Sequence, residues 1–228
     1  MRTVTLEQGS TEWLAWRGFG IGSSDATVIV KGQHFDRDRY DLWQEKRGES
    51  LPKERSVWIN ERMRRGQVLE GDVRNWYCNW IKKPVAPLCA FHATKDYIKA
   101  SLDGWEPFSR TILEIKCPGK KDHDSALNNS VPEKYIPQLQ HQALVTGAKQ
   151  VHYLSYNPTY PKTDRYALVS YKPEKDDIFK LELFEEIFWG CVVSGIPPAD
   201  KFPGVTSGLA NGQSSACSSK LCRCERRR

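Results

Sequence analysis

The chain of 228 residues lacks any apolar run long enough to cross a bilayer. A membrane-spanning helix needs about 18 or more consecutive apolar residues, so we expect no membrane partner. The first eight residues, Met-Arg-Thr-Val-Thr-Leu-Glu-Gln, also lack the apolar centre of a secretory signal peptide. These two absences predict a cytoplasmic protein.

Two common functional patterns are missing as well. The sequence contains no Gly-x4-Gly-Lys-Ser/Thr phosphate loop, which argues against the use of ATP. Its five histidines show neither the His-x-Glu nor the His-x3-His spacing of many metal sites. The chain therefore offers carboxylates, and not imidazoles, as its candidate metal ligands.

The use of cysteine argues against a disulfide-stabilised secreted protein. The chain has seven cysteines, an odd number, and four of them lie among apolar residues: Cys78, Cys89, Cys117 and Cys191. We expect these four to be buried free thiols in a reducing compartment. The last three cysteines have the spacing Cys-x4-Cys-x-Cys, which leaves a metal site in the tail as the minor alternative.

Composition divides the chain at about residue 205. Hydrophobic residues make up 39% of the sequence, enough for a real core, and predict one domain over residues 1–205. From residue 206 onward Gly, Ser, Ala and Asn dominate, and the chain ends in Arg-Cys-Glu-Arg-Arg-Arg, which predicts a flexible basic tail. The formal net charge of +6 fits a partner that carries phosphates. A tail that contacts DNA and a simply solvated terminus both remain open.

The spacing of apolar residues predicts several helices and strands. Helices are expected over residues 10–17, from Ser23 or Ser24 to Val30, within 38–47, and over 57–80, 132–146 and 176–193. Strands are expected over residues 87–92, 97–102, 111–117, 151–156 and 166–171. This order predicts an α/β fold in which helices flank a central mixed sheet.

Two of these predicted strands carry two carboxylates and a lysine. Asp103 follows the first strand, and Glu114 and Lys116 lie two residues apart in Thr-Ile-Leu-Glu-Ile-Lys. Side chains two apart share one face of a strand, so all three groups meet at one end of a sheet if the two strands are neighbours. Carboxylate oxygens suit a hard divalent cation, and an ammonium beside them can orient or deprotonate a water. The pattern predicts a metal-dependent nuclease.

Each of these residues also has an ordinary structural interpretation. An aspartate before glycine is often a turn residue, and Glu114 with Lys116 can form an internal ion pair. Glu70, the third candidate carboxylate, has Arg74 at i+4 as a potential partner on the predicted long helix. In the functional interpretation, the three carboxylates and the carbonyl of Ile115 hold two metal ions. Desolvation or the metal charge is then expected to lower the pKa of Lys116.

Five short motifs occur in a fixed order between about residues 7 and 160. They are Trp13-x3-Arg17 with Ile21-Gly-Ser-Ser24, Gly66-x3-Glu70-x3-Arg74, Ser101-Leu-Asp103-Gly104, Leu113-Glu-Ile-Lys-Cys-Pro118 and Tyr135-x2-Gln138-x-Gln140. In this order and spacing the chain resembles the phage lambda exonuclease group of viral recombination (alkaline) exonucleases, within the PD-(D/E)xK nuclease superfamily. Leu102 replaces the superfamily's proline, and the residues between Lys31 and Asp41 do not follow the lambda enzyme.

The resemblance implies a PD-(D/E)xK core and a defined activity. Such enzymes degrade one strand of linear double-stranded DNA from a 5′-phosphorylated end with Mg²⁺, for which Mn²⁺ substitutes. They release mononucleotides and leave a 3′ single-stranded overhang for recombination by strand annealing. The resemblance also implies two ions per site, a processive homotrimeric ring, a single-strand annealing protein as partner, and a bacterial or phage-infected cell.

The resemblance assigns further roles outside the carboxylates. Arg17 and Ser24 match positions that grip the 5′-terminal phosphate, for which an arginine fork is suited; the alternatives are a helix-ending arginine and an N-cap serine. Gln138 matches a catalytic position near the metals and Trp13 a place beside the 5′ nucleotide, although a core Trp is equally expected there. Met63 falls where a wedge splits the terminal base pair. Basic residues that form phosphate tracks, or simply solvated helix faces, are Lys46, Arg47, Arg62, Arg64 and Arg65.

Two functions of other kinds remain open beside the exonuclease. A sequence-specific endonuclease built on the same core cuts closed circles, whereas an exonuclease needs an end. A non-catalytic DNA-binding protein that kept the fold is the second. Binding alone does not require Asp103, Glu114 and Lys116, so their presence together argues against that second alternative.

Overall fold

The structure, a computed structural model, describes residues 1–49 and 57–199, and for residues 57–65 and 67 it describes the backbone alone. All the predicted helices and strands occur in the predicted order, some with shifted ends. The helices are α1 Thr11–Gly18, α2 Ser23–Lys31, α3 Arg39–Arg47, α4 Val57–Ile81, α5 Lys120–Leu127, α6 Ile136–Thr146 and α7 Lys175–Ser194. The strands are β1 Arg2–Val4, β2 Gln33–His34, β3 Arg37–Asp38, β4 Ala86–Phe91, β5 Lys99–Glu106, β6 Thr111–Lys116, β7 Gln150–Tyr156 and β8 Tyr166–Tyr171.

The sequence patterns missed the shortest and the most polar elements. Strands β1, β2 and β3 have two or three residues each, too few to show an alternation of apolar side chains. Helix α5 buries only His123 and Ala126, so it has no apolar stripe. Strand β5 also continues to Glu106, which places Asp103 inside a strand and not in the turn expected after one.

Six strands form one mixed sheet in the order β1-β4-β5-β6-β7-β8. Strands β6 and β7 are parallel and the other neighbours are antiparallel. A parallel pair needs a crossover, and here α5 and α6 supply it. The predicted α/β fold with a central mixed sheet flanked by helices is confirmed. Strands β5 and β6 pair through Gly104 and Leu113, so the two predicted catalytic strands are neighbours.

The two faces of the sheet pack against different helices. On one face, Val73 and Tyr77 of α4 pack on Leu113 and Ile115. On the other face, Leu139 of α6 belongs to the larger core cluster. A third cluster joins α2, α3 and α7 behind α6. Because neighbouring residues of β6 face opposite layers, Glu114 points towards the α6 side while Leu113 and Ile115 face α4.

The connection between α1 and α2 is hydrogen-bonded to the start of β5. The amide of Ile21 donates to the carbonyl of Tyr97 at 2.6 Å, and the amide of Lys99 donates to the carbonyl of Ile21 at 2.9 Å. Gly20 has a φ of 111°, and a Cβ there would lie 2.5 Å from the oxygen of Tyr97. Glycine is therefore required, and the strand that carries Asp103 also positions the N-terminus of α2.

The four cysteines in the described ranges form no disulfide. Cys89 is buried, as predicted, but the prediction is wrong for Cys78, Cys117 and Cys191, which are half-buried. Two of these lie in helices, where apolar sequence neighbours face several directions and do not fix burial. The other three cysteines and the predicted tail lie outside the described residues. No helix in the described part of the chain is long and apolar enough to span a membrane.

Candidate active site

A cavity of about 1120 Å³ opens beside the ends of β5 and β6. Its wall includes every predicted site residue whose side chain the structure describes: Trp13, Arg17, Ser24, Glu70, Asp103, Glu114, Lys116 and Gln138, together with Ile115. The side chain of Met63 lies outside the described residues. One concave surface therefore holds both groups of residues that the sequence assigned to chemistry and to phosphate binding.

Backbone contacts fix Asp103 beside β6. Its Oδ2 accepts a hydrogen bond from the amide of Ile115 at 2.7 Å, and its carbonyl accepts one from Nε of Arg74 at 2.5 Å. Gly104 follows in the strand, where a Cβ would collide with the side chain of Val85 and lie 3.1 Å from Cβ of Leu113. The glycine leaves room for Val85, which lies between α4 and β4, and for the close approach of β6, whose strand carries Glu114.

Three donors surround the carboxylate of Glu114, whose side chain is only 2% exposed. Its Oε1 accepts from Nε2 of Gln138 at 2.6 Å and lies 2.5 Å from Nζ of Lys116. Its Oε2 accepts from Nε2 of Gln142 at 2.5 Å. Gln142 was missed from the sequence, although it follows Gln138 by four residues and so lies on the same face of α6. Gln138 is therefore a contact of the cluster and not a surface amide.

Glu70 and Asp103 complete the group of converging carboxylates. Glu70 is half-buried and forms the i,i+4 ion pair with Arg74 that its spacing suggested. Burial and the charge of Glu114 raise the pKa of Glu70, although Arg74 opposes this. Burial, followed by the charges of Glu114 and Glu70, raises the pKa of Asp103 well above its ordinary value. These shifts show that the carboxylates repel one another across the cavity.

Lys116 is held as an ammonium. Burial alone lowers its pKa, but the carboxylates of Glu114 and Asp103 outweigh burial and raise the pKa above its ordinary value. The nitrogen also lies 5.5 Å from the centre of the Tyr135 ring. Desolvation was expected to lower this pKa, and in the structure the two neighbouring carboxylates reverse the net direction. Lys116 thus acts here as a hydrogen-bond donor.

The donor atoms of this cluster fit a hard divalent cation. Within the described residues, no group of three Asp, Glu, His or Cys side chains has the geometry of a preformed metal site. The carboxylate of Glu114 is already bonded to Lys116, Gln138 and Gln142. The carboxylate of Glu70 is paired with Arg74. The remaining repulsion on Asp103 is what a cation would neutralise, and an all-oxygen ligand set is what such ions prefer. A bound cation would replace some of the present ammonium and amide contacts.

One corner of the same cavity, at the N-terminus of α2, contains groups that suit an anion, and we call it the anion corner. Nη2 of Arg17 donates to Oγ of Ser24 at 2.9 Å, and the guanidinium carbon lies 4.9 Å from the ring centre of Trp13. The N-cap of α2 is Gly22, so the interpretation of Ser24 as N-cap is wrong. The hydroxyl of Ser23 is buried beside it without a hydrogen-bond partner. Amides at a helix N-terminus, a serine and an arginine fork suit a phosphate.

Trp13 is a buried side chain that forms part of the wall of this corner. Its side chain is 8% exposed, and its Nε1 donates to Oγ of Ser101 at 2.8 Å. Trp13 is therefore a core residue, as one of the two interpretations predicted, and its ring also contacts the guanidinium of Arg17. Cation–π contact of this kind holds a guanidinium in one orientation.

A buried ion network fixes the first turn of α2 from behind. The carboxylate of Asp25 lies 3.0 Å from Nη1 of Arg37 and 2.8 Å from Nζ of Lys46, and it accepts from the amide of Gly22. Burial would raise the pKa of Asp25, but Lys46 and Arg37 hold it well below its usual range. The prediction that Lys46 contributes to a phosphate track is wrong, because this pair buries it.

The other predicted phosphate-track residues divide into two groups. Arg47 donates from Nη1 to the carbonyl of Val192 at 2.9 Å, so its position ties α3 to α7. The side chains of Arg62, Arg64 and Arg65 lie outside the described residues. Among the described side chains, the arginines and lysines that line the cavity are Arg17, Arg37, Arg74, Lys99, Lys116 and Lys134.

His141 anchors α6 from its buried side. Its Nδ1 lies 2.6 Å from Oε1 of Glu185 in α7, and its Nε2 lies 2.7 Å from the carbonyl of Lys99 in β5. Both partners of the pair are fully buried. Burial lowers the pKa of His141, but the charge and hydrogen bond of Glu185 outweigh it and raise the pKa. The pair fixes the helix that carries Gln138 and Gln142.

Comparison with known families identifies the chain. A model of the YqaJ-like viral recombinase domain matches residues 12–149, more than half of the sequence. The chain belongs to this family. A relative in Bacillus subtilis, the uncharacterized protein YqaJ, is 31% identical over 143 residues, covering 62% of this chain and 44% of the relative. The chain thus spans less than half the length of that curated relative.

Solved structures confirm the fold of this viral recombinase domain. The alkaline exonuclease LHK-Exo of Laribacter hongkongensis is 22% identical with a TM-score of 0.68, over 82% of this chain and 94% of the other. The structure of the same enzyme in complex with dAMP is 25% identical with a TM-score of 0.69, again over 82% of this chain and 94% of the other. A phage-related exonuclease of Haemophilus somnus is 12% identical with a TM-score of 0.57, over 80% of this chain and 98% of the other. The resemblance to the lambda exonuclease group is confirmed.

Proposed function

We propose that the chain is a metal-dependent exonuclease that degrades one strand of linear double-stranded DNA from the 5′ end. The observation that carries the proposal is the single cavity that contains both the carboxylates with Lys116 and the Arg17–Ser24 corner. A hydrolytic centre beside a pocket for a terminal phosphate is the arrangement that a 5′ exonuclease needs. An endonuclease, which cuts within a strand, does not need a pocket for a terminal phosphate.

Membership of the viral recombinase family supports a nuclease role in recombination. Two structural relatives are named as exonucleases, and one was solved with dAMP. From the resemblance we carry over, as parts of the proposal, mononucleotide products, a 3′ overhang, a processive homotrimeric ring and a single-strand annealing partner. The proposal also includes one nuclease domain over residues 1–205, followed by a basic tail over residues 206–228.

The proposed ligands of two Mg²⁺ ions are the carboxylates of Asp103, Glu114 and Glu70 with the carbonyl of Ile115. Such ions, when bound, neutralise phosphate charge and make a water a better nucleophile. Glu114 must give up part of its contact with Lys116 on binding. The released ammonium then donates a hydrogen bond to the attacking water or to a phosphate oxygen.

The chain's own groups position the reacting strand. Water oxygen attacks the phosphorus between the first two nucleotides, and the bond from phosphorus to the first O3′ breaks. The first nucleotide leaves with a 3′-hydroxyl, and the shortened strand carries a new 5′-phosphate. Gln138 holds the scissile phosphate or the water, while Arg17 and Ser24 hold the terminal phosphate. Each product strand is therefore the next substrate.

Digestion of end-labelled linear duplex beside a closed circle, with Mg²⁺ or Mn²⁺, tests the proposal. Mononucleotides released from the 5′-phosphorylated strand, with the circle intact, are expected. Discrete cuts in the circle indicate the endonuclease instead. Binding of DNA without any cleavage in either metal indicates a non-catalytic binding protein.

A further inference from the structure

The hairpin of β2 and β3 presents an exposed aromatic side chain. Phe35 lies at its turn with a φ of 55°, and 55% of the residue is exposed. A bulky residue at positive φ is strained, because its Cβ crowds the backbone. Glycine or asparagine is the usual choice in such a turn. Neither backbone preference nor burial accounts for phenylalanine at this position.

Buried charges anchor the hairpin to α2. Arg37, two residues after Phe35, pairs with Asp25 at 3.0 Å and with Glu45 of α3. Both partners are largely buried, so the base of the hairpin is fixed to the helix whose N-terminus forms the anion corner. The carbonyl of Phe35 accepts from Nε2 of Gln33 at 3.2 Å, which stabilises the turn itself. The ring therefore projects from a rigid support.

Neighbouring side chains hold the ring at the cavity. The ring of His34 lies 4.2 Å from that of Phe35, and Nζ of Lys134 lies 5.8 Å from its centre. All three residues line the same cavity as Ser24 and Lys116. A flat apolar face among cationic groups matches a nucleobase flanked by phosphates.

We propose that Phe35 stacks on the nucleobase at the DNA end that enters the cavity. The inference rests on the proposed function, and it adds a base contact to the phosphate and metal contacts. Stacking does not read sequence, since every base has a π face, so Phe35 supports binding to ends of any sequence.

Paired changes in protein and DNA test the contact. Phe35→Asn removes the ring but keeps a residue suited to positive φ, and Phe35→Trp keeps a stacking surface. Binding of each variant is measured to a blunt 5′-phosphorylated duplex and to the same duplex with an abasic terminal nucleotide, with Ca²⁺ in place of Mg²⁺. Phe108→Asn is the matched control, because Phe108 is 92% exposed and does not line the cavity.

Phe35→Asn is expected to weaken binding to the intact end about 5- to 150-fold, the usual range for loss of one base stack. On the abasic end, wild type and Phe35→Asn are expected to bind equally, because the ring has lost its base. Phe35→Trp and Phe108→Asn are expected to bind like wild type. A circular-dichroism melt of each variant checks that the fold is kept.

Two results overturn the inference. One is unchanged binding of Phe35→Asn to the intact end, and the other is an equal loss on the intact and the abasic end. Failure of the proposed function gives a different result, since wild type would then bind no better to linear duplex than to a closed circle. The wild-type measurement thus separates the two failures.

Discussion

At the scale of single residues, the decisive contact joins Lys116 to Glu114. The ammonium lies 2.5 Å from a carboxylate oxygen that also accepts from Gln138. This geometry keeps Lys116 protonated, because the neighbouring carboxylates raise its pKa. The role that fits is donation of a hydrogen bond to the reacting groups, while bound cations would lower the pKa of the attacking water.

Lys116→Ala is expected to lower the rate of duplex digestion by roughly 10²- to 10³-fold, the range for loss of one hydrogen-bond donor positioned at the reacting groups. Binding to linear DNA should remain within a few-fold of wild type, because Arg17 and the helix terminus are untouched. The rate is measured from released mononucleotides at saturating DNA. Lys120→Ala is the control, since the side chain of Lys120 is 78% exposed and pairs with Asp124. Wild-type cleavage by Lys116→Ala contradicts the assignment.

Arg17→Ala is expected to reduce the preference for 5′-phosphorylated over 5′-hydroxyl ends by about 10- to 150-fold, since a hydrogen bond to a charged group contributes about 1.5–3 kcal/mol. Arg17→Lys should restore part of this preference, because lysine keeps the charge and loses the fork. The measurement is the ratio of kcat/KM for the two ends. Arg2→Ala serves as control, as Arg2 is a surface residue paired with Asp96. An unchanged ratio in Arg17→Ala rules out the phosphate grip.

The sequence revealed these residues because they sit in short local motifs. Glu114 and Lys116 are two apart in one strand, so alternation alone places them together. The contact from Gln142 depends on how α6 lies across β6, which no local spacing encodes. The burial of Lys46 likewise depends on Asp25, twenty-one positions earlier in the chain. Residues whose roles arise from tertiary pairing were missed or misassigned.

At the scale of elements, α6 connects the site to the rest of the fold. The helix presents Gln138 and Gln142 to Glu114, and His141 ties the same helix to α7 and β5. The two longest helices, α4 and α7, were predicted within one residue at each end, whereas α6 begins four residues later than predicted. The hairpin with Phe35 was not predicted, since two-residue strands carry no period.

The His141–Glu185 pair is expected to make stability depend on pH. Glu185 raises the folded-state pKa of His141, so the stabilisation is complete below about pH 6.5, the ordinary pKa of histidine, and is lost as pH rises through the folded value. Glu185→Gln removes the partner charge, at a cost of about 3–5 kcal/mol in acid solution. The difference in free energy of unfolding between wild type and this variant should therefore be larger at pH 6 than at pH 9, as measured by urea titration. An equal difference at both pH values contradicts the prediction.

At the scale of the whole molecule, the sheet assembles one cavity from distant parts of the chain. Strand β5 carries Asp103 and also holds the α1–α2 connection, so the acidic cluster and the anion corner share one rigid base. The fold class followed from the order of periodic segments. The shape of the cavity did not, because it depends on how helices pack on both faces.

Mg²⁺ is expected to raise the Tm of the wild-type protein by roughly 3 to 6 °C at about ten times its Kd, since such binding contributes about 1.4 kcal/mol and a chain of this size gains about 2–4 °C per kcal/mol. Asp103→Asn should raise the Tm without metal, because it removes a repelled carboxylate, and should abolish the Mg²⁺ effect. Both are measured by thermal unfolding with and without Mg²⁺. Asp96→Asn, a surface change, is the control. An undiminished Mg²⁺ effect in Asp103→Asn places the cation elsewhere.

The tie between α6 and α7 has a consequence for synthesis of the protein on the ribosome. All the carboxylates of the site are translated before residue 115, yet the helix that orders Glu114 is secured by Glu185, near the end of the described chain. Domains form during translation only as far as their packing partners have emerged. The nascent chain therefore carries the reactive groups without their final geometry until α7 leaves the exit tunnel. The final geometry of Glu114 is therefore reached only after α7 has emerged.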